Sequence, residues 1–152
     1  MSHHAPLVAH LLDTGGPVVR WLTVRDLLED PDPDLVARCR EDLLAAPHVR
    51  LWLDRIAGVT RYHDSGNQCF ENVAGKLGEF GLLAGMGDLD ERLAPFREWI
   101  ASSERDEDRG MMAELNRVLC VAGLLRLGYE DDALREHALR RLDTIHRVAA
   151  SG

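Results

Sequence analysis

The sequence predicts an all-α protein built as an array of αα-hairpins, and three observations predict it. Apolar residues recur at spacings of three and four almost throughout the chain. Strict apolar–polar alternation, the mark of a half-buried strand, persists nowhere. Glycine and proline clusters punctuate the periodic stretches at helix-length intervals. With 152 residues and 45% hydrophobic content the chain suits one domain, residues 1–152.

A short apolar stretch from Pro6 to Leu12 stops at Thr14-Gly15-Gly16. Pro17 then stands where a first helical turn accepts proline, and Val18, Leu22, Arg25 and Leu28 make one face. The run Asp30-Pro31-Asp32-Pro33-Asp34 breaks that helix, because each proline pushes its predecessor out of the helical region, and its aspartates can cap the next start. Leu35, Cys39 and Leu43 form a second face, and Val49, Trp52, Leu53 and Ile56 a third. Gly58 to Gly66 lacks periodicity and reads as a loop.

In the second half, Ser65 followed by Gln68 has the spacing of a capping box. It opens a helix with Val73, Leu77, Phe80 and Ala84 on one face, ending at Gly85-Met86-Gly87. Asp88 with Glu91 repeats the capping pattern ahead of Leu93, Phe96, Trp99 and Ile100. A charged joint from Ser102 to Gly110 leads to Leu115, Leu119, Ala122 and Leu125, ending at Gly128. The last helix offers Leu134, Ala138, Leu142 and Ile145 for burial, making seven or eight helices in all. Setting Gly87 against Gly128 superposes Leu83 on Leu124, Asp90 on Asp131 and Leu93 on Leu134, an offset of 41 residues. A period near that length fits stacked hairpins, here about 17–58, 65–103 and 109–149, each burying its open face on the next.

Composition excludes several function classes. A net charge of −8 opposes docking on nucleic acid or anionic membrane. No stretch approaches the roughly 18 apolar residues of a membrane span, and Met1 to Pro6 lacks the pattern of a secretory signal, so a cytoplasmic protein is expected. Lys76 is the only lysine, a bias of coding rather than of function. Cys39, Cys69 and Cys120 form no C-x-x-C pair and read as small core hydrophobes.

The run Pro17 to Leu28, the acidic turn Asp30 to Asp34 and the segment Gly75-Lys76-Leu77-Gly78-Glu79-Phe80-Gly81-Leu82 resemble the α/α-toroid superfamily. That group includes terpenoid and squalene cyclases and the β-subunits of protein prenyltransferases. The resemblance implies a ring of helical hairpins around an apolar cavity. A full ring takes about twice this length, so a partial ring, a small open array or a homodimer that completes the ring are the forms it allows. The acidic motifs of the cyclases are not met: Asp88-Leu89-Asp90-Glu91 and Glu130-Asp131-Asp132 fall at helix starts, where carboxylates cap free amides.

Candidate chemistry concentrates between Arg61 and Asn72. Tyr62, His63, Asp64, Asn67, Cys69, Glu71 and Asn72 gather at a loop-to-helix junction, where polar groups can converge on a rigid base. On a continuous helix Asn67, Glu71, Gly75, Gly78 and Gly85 fall within a sector of roughly 80°. That stripe of bare backbone, headed by a carboxylate, suits either close approach of a neighbouring helix or an apolar, isoprenoid-like ligand. Glu71, His63 and Asp64 are the candidate acid–base residues of a lyase, isomerase or cyclase, with Tyr62, Asn67, Asn72, Gly75 and Gly78 as ligand contacts. No cofactor is called for. Two alternatives stand beside this reading: a non-catalytic helical scaffold, and a metal site using His63, Asp64 and Cys69.

Overall fold

The computed structural model describes residues 5–102 and 110–151, and residues 103–109 of the expected charged joint lie outside it. Among the described residues the chain is all-α, apart from one isolated bridge between Arg61 and Cys69. The helices are α1 (Ala5–Thr14), α2 (Pro17–Leu27), α3 (Pro33–Ala45), α4 (Pro47–Arg55), α5 (Phe70–Glu79), α6 (Leu89–Ser102), α7 (Met111–Arg126) and α8 (Asp132–Ser151). A single 3₁₀ turn, Ile56–Gly58, closes α4.

Prolines set three of the starts. Pro17, Pro33 and Pro47 each open a helix, where the missing N–H has no partner to lose. Asp32 caps α3, its carboxylate accepting from the Asp34 N–H at 3.1 Å. The break at Ala46-Pro47 means that the 17–58 segment holds three helices.

The core is organised around α5, whose Phe70, Val73, Ala74 and Leu77 are all buried. It packs against α4 on one side and α7 on the other, while α6 packs on α7 and α8, and α2 on α3. Gly123 brings α7 close to α5: a Cβ there would stand 2.7 Å from the Phe70 ring and 2.9 Å from Ala74 Cβ. Trp21, buried on α2, donates its indole N–H to the Gly81 carbonyl at 2.8 Å, and Arg25 donates to the same oxygen at 3.2 Å.

Two helices end alike. After α5 the Leu82 N–H bonds the Leu77 carbonyl and the Gly81 N–H bonds that of Gly78, with Gly81 at φ +81°. After α7 the Tyr129 N–H bonds the Leu124 carbonyl and the Gly128 N–H that of Leu125, with Gly128 also at φ +81°. Both are Schellman ends, which satisfy the last carbonyls by passing the chain through a left-handed residue. They lie side by side, joined by Ala84 N–H to the Leu127 carbonyl at 2.8 Å.

This geometry corrects the repeat register. Gly128 corresponds to Gly81, not Gly87, because both stand one residue past a helix cap. The turn before α6 is therefore longer than the turn before α8, while Asp90 and Asp131 keep their equivalent places near the helix starts. The helix expected to run on to Gly85 also stops earlier, at Glu79.

The acidic turns do more than cap. Asp88 accepts from Arg92 at 2.7 Å. Asp90 accepts from the Gly85 N–H at 2.9 Å and from the Tyr129 hydroxyl at 2.6 Å, so it ties one hairpin to the next. Asp131 takes both arms of Arg97, at 2.8 and 2.6 Å, and that guanidinium lies 4.8 Å above the Tyr129 ring. On α8 the expected apolar face is only half covered: Leu134 is buried and Ala138 packed, but Leu142 and Ile145 are 62% and 54% exposed.

Two glycines in and after α5 should respond oppositely to alanine. Gly75 is helical with open space where a Cβ would go, so Gly75→Ala is expected to stabilise by about 0.5–1 kcal/mol. At Gly81 the positive φ and contacts of 2.7 Å to Leu22 and 2.9 Å to Trp21 make Gly81→Ala destabilising. The cost should be about 2 kcal/mol or more, and urea unfolding measures both.

The pH dependence follows from the carboxylates. Arg97 holds Asp131 below the usual range, and the Gly85 N–H and Tyr129 hydroxyl do the same for Asp90. Their stabilisation is thus complete above the unfolded carboxylate value of about 3.9 and is lost as pH falls through the folded values. Asp131→Asn should cost about 1 kcal/mol at neutral pH, discounted for its one-third exposure, with the gap from wild type closing below about pH 4. An unchanged gap in urea melts at pH 7 and at pH 3 would contradict this.

Candidate functional site

The chain between α4 and α5 folds back onto the start of α5. The Phe70 N–H donates to the Arg61 carbonyl at 2.9 Å and the Glu71 N–H to the Tyr62 carbonyl at 3.1 Å. Backbone oxygens of the loop thus satisfy donors that a helix start leaves free. The expected Ser65–Gln68 capping box does not form, since the helix begins at Phe70 with Cys69 as an N-cap whose side chain makes no capping bond. Ser65 instead gives its N–H and hydroxyl to Asp64 Oδ1, at 2.6 and 3.3 Å.

Other bonds close the loop from within. Asn72 Nδ2 donates to the carbonyls of Asp64 (3.3 Å) and Gly66 (2.9 Å), and the Cys69 thiol donates to the Asp64 carbonyl at 3.3 Å. Arg61 pairs with Asp64 at 3.1 Å. The Ser65 N–H, with its hydroxyl and Arg61 beyond it, holds the Asp64 carboxyl below the usual carboxylate range. Asp64 and Asn72, expected as catalytic and ligand-contacting groups, are both engaged in shaping the loop.

Tyr62 anchors the loop to the core. Its ring stacks on Trp99 with centroids 4.4 Å apart and meets Phe96 edge-on at 6.3 Å. Burial pushes its hydroxyl up to about 12, so it stays a neutral phenol at ordinary pH. Next to it, His63 turns outward. Its Nδ1 lies 2.6 Å from Glu71 Oε2, across eight positions of sequence. The side chains are 54% and 42% exposed. An ionised carboxylate only accepts, so this bond places a proton on Nδ1 and leaves Nε2 free when the imidazole is neutral.

A groove of about 350 Å³ opens on the same loop, lined by Thr60, Arg61, Asp64, Gly66, Asn67, Gln68 and Cys69, with neither His63 nor Glu71 in its walls. Its walls are about evenly polar and apolar. The structure brings Asn67 to this groove but separates it from the other members of the expected stripe. Asn67 is in the loop, and Gly85 is in the turn after α5 at φ +79°. Gly75 has nothing near it, and Gly78 faces the side chain of Arg126, 2.8 Å from where a Cβ would sit. The 80° sector needed a helix longer than α5 is.

The metal alternative is not supported by the geometry. The Cys69 thiol is buried and spent on a carbonyl, and no three His, Cys, Asp or Glu side chains converge to hold an ion among the described residues. A second charged cleft of about 360 Å³ lies between α4 and the turn before α6, lined in part by Arg50, Asp54, Asp88 and Arg92. Arg92 bridges it, reaching the Leu53 carbonyl at 3.1 Å and Asp54 at 3.2 Å. Residues this far apart in sequence give no local signal of the contact.

No family model, no curated protein and no solved structure matches the chain.

Asn72 makes a specific prediction. Asn72→Ala removes two bonds that bind the loop to α5, at about 1 kcal/mol each. Hydrogen exchange should quicken at the amides of Cys69, Phe70 and Glu71, with little change in those of α7. Equal acceleration across both helices would show that the loop is not a separate unit.

Proposed function

We propose that the junction of loop 59–69 with α5 is an acid–base site for a small molecule. The observation that carries this reading is the His63–Glu71 contact at 2.6 Å. In this reading Glu71 orients the imidazole through Nδ1, and Nε2 takes a proton from a substrate C–H or O–H. The carboxylate then stabilises the imidazolium that forms, as in other base–orienter pairs. The proton returns to a different atom of the substrate in an isomerisation or cyclisation, or is released with a leaving group in a lyase reaction.

The groove supplies the binding surface. Asn67 and Gln68 offer amides and Arg61 a guanidinium, which favours a ligand with a polar or anionic head beside any apolar body. Asp64, through Arg61 and Ser65, keeps that surface in shape. The same reading takes the helices as an array of hairpins similar to part of an α/α toroid. Packing of α5 on α7 and of α6 on α8, with the paired glycine ends, supports that arrangement.

A second reading, a non-catalytic helical interaction domain, is favoured by the apolar residues left bare on α8.

Nitrogen-detected NMR of the imidazoles tests the pair directly. His63 should be chiefly the Nδ1–H tautomer in the neutral form, and Glu71→Gln should shift it towards Nε2–H. A fragment library screened against labelled protein should then move the amides of Tyr62, His63, Asn67 and Gln68 together. Fragment responses confined to α8, with none around His63, would favour the interaction domain instead.

A further inference from the structure

The first and last helices carry complementary surfaces at opposite ends of the packing order. α1 lies on α2, and α8 lies on α6 and α7. Between α1 and α2 runs an apolar groove of about 760 Å³, with Leu7, Val8, Leu12, Leu27 and Leu28 among its walls. Asp26 and Glu29 stand at its rim, and the acidic turn continues through Asp30. Leu7 and Leu27 are 54% and 53% exposed. On α8 the buried stripe of Leu134 and Ala138 continues outward as Leu142, Ile145 and Val148, the last 67% exposed. At 100° per residue Arg141 falls inside this stripe and Arg135 beside it.

We propose that a second copy of this chain docks head to tail, the α8 ridge of one copy lying in the α1–α2 groove of the next. Three features select this occupant. The charges are opposite: Arg141 lies in the ridge and carboxylates stand at the rim of the groove, and Glu29, Asp30 and Arg141 have no ion-pair partner among the described residues. The lengths match: Leu142 to Val148 spans about 9 Å of helix, within the ~15 Å of ten-residue α1. The areas match: the ridge exposes a few hundred square ångströms of apolar surface, near the ~450 Å² that a half-apolar face of ~800 Å² requires. The contact is heterologous, so an open assembly keeps one ridge and one groove free until a ring closes. It is independent of the acid–base reading.

Sedimentation of the intact chain at rising concentration, to about 100 μM, tests the proposal, since interfaces of this size begin at micromolar affinity. The mass should rise above the 17.0 kDa of one chain. Ile145→Glu and Leu27→Glu alter exposed positions, so both should keep the wild-type melting temperature and circular dichroism while each sediments as a monomer. Mixed together they should form a complex of two chains, because one variant retains a sound groove and the other a sound ridge. Salt near 1 M, where the Debye length is about 3 Å, should weaken the association. A wild-type monomer at every concentration, or association that survives Leu27→Glu, would overturn the proposal. So would a mixture that stays monomeric, or association strengthened by salt.

Discussion

The contact between α5 and α7 at Gly123 is the constraint on which the other elements depend. Phe70 and Ala74 occupy the space that any side chain at position 123 would need, so the two helices meet closely. That contact fixes both ends of α5. At its start, the Phe70 and Glu71 amides hold the loop that carries His63. At its end, the Gly81 carbonyl receives Trp21 and Arg25, which draws α2 and with it α3 onto the core. A side chain at position 123 would move α5 as a body, and the loop and the α2 anchor would move with it.

The polar ties follow the same geometry. Buried aromatic side chains with polar tips need partners, and here each tip joins elements distant in sequence. Trp21 reaches the turn after α5, and Tyr129 reaches Asp90 at the start of α6. Arg97 and Asp131 then fasten α6 to the turn before α8. Such ties add modestly to stability, since each exchanges a bond to water for a bond to protein. Their larger effect is on register: they fix how one pair of helices sits on the next, which apolar packing alone leaves loosely specified.

Much of this was legible in the sequence. Periodicity gave the helices, the prolines gave three of their starts, and the acidic turn gave the Asp32 cap. His63 and Glu71 stood out because they fall in one polar cluster. What was hidden depends on contacts between distant residues. Loop carbonyls, which every residue possesses, cap α5, so side-chain patterns pointed to Ser65 and Gln68 instead. By residue type Asp64 suggests catalysis and Asn72 a ligand contact; that both also hold the loop together is visible only in its fold. The glycine stripe of α5 suggests close approach or a ligand; Gly78 does face Arg126 of α7, but the tightest contact of the two helices is at Gly123, hidden because the sequence does not say which face of α7 meets α5. Likewise the apolar pattern of α8 continues through Leu142 and Ile145, which stay exposed.

The energetics of the His63–Glu71 pair separate its role from that of the loop around it. A half-exposed hydrogen-bonded pair of this kind contributes at most about 1 kcal/mol, because water competes for it and two side chains lose freedom to form it. The pair therefore does not hold the loop in place. The backbone bonds to Phe70 and Glu71, the two bonds from Asn72 and the stacking of Tyr62 on Trp99 do that work. The frame is rigid before the imidazole and carboxylate meet, so their separation is set by the backbone at little further entropic cost. A pair that adds little to stability, yet has its separation set by a braced loop, is consistent with the proposed acid–base reading.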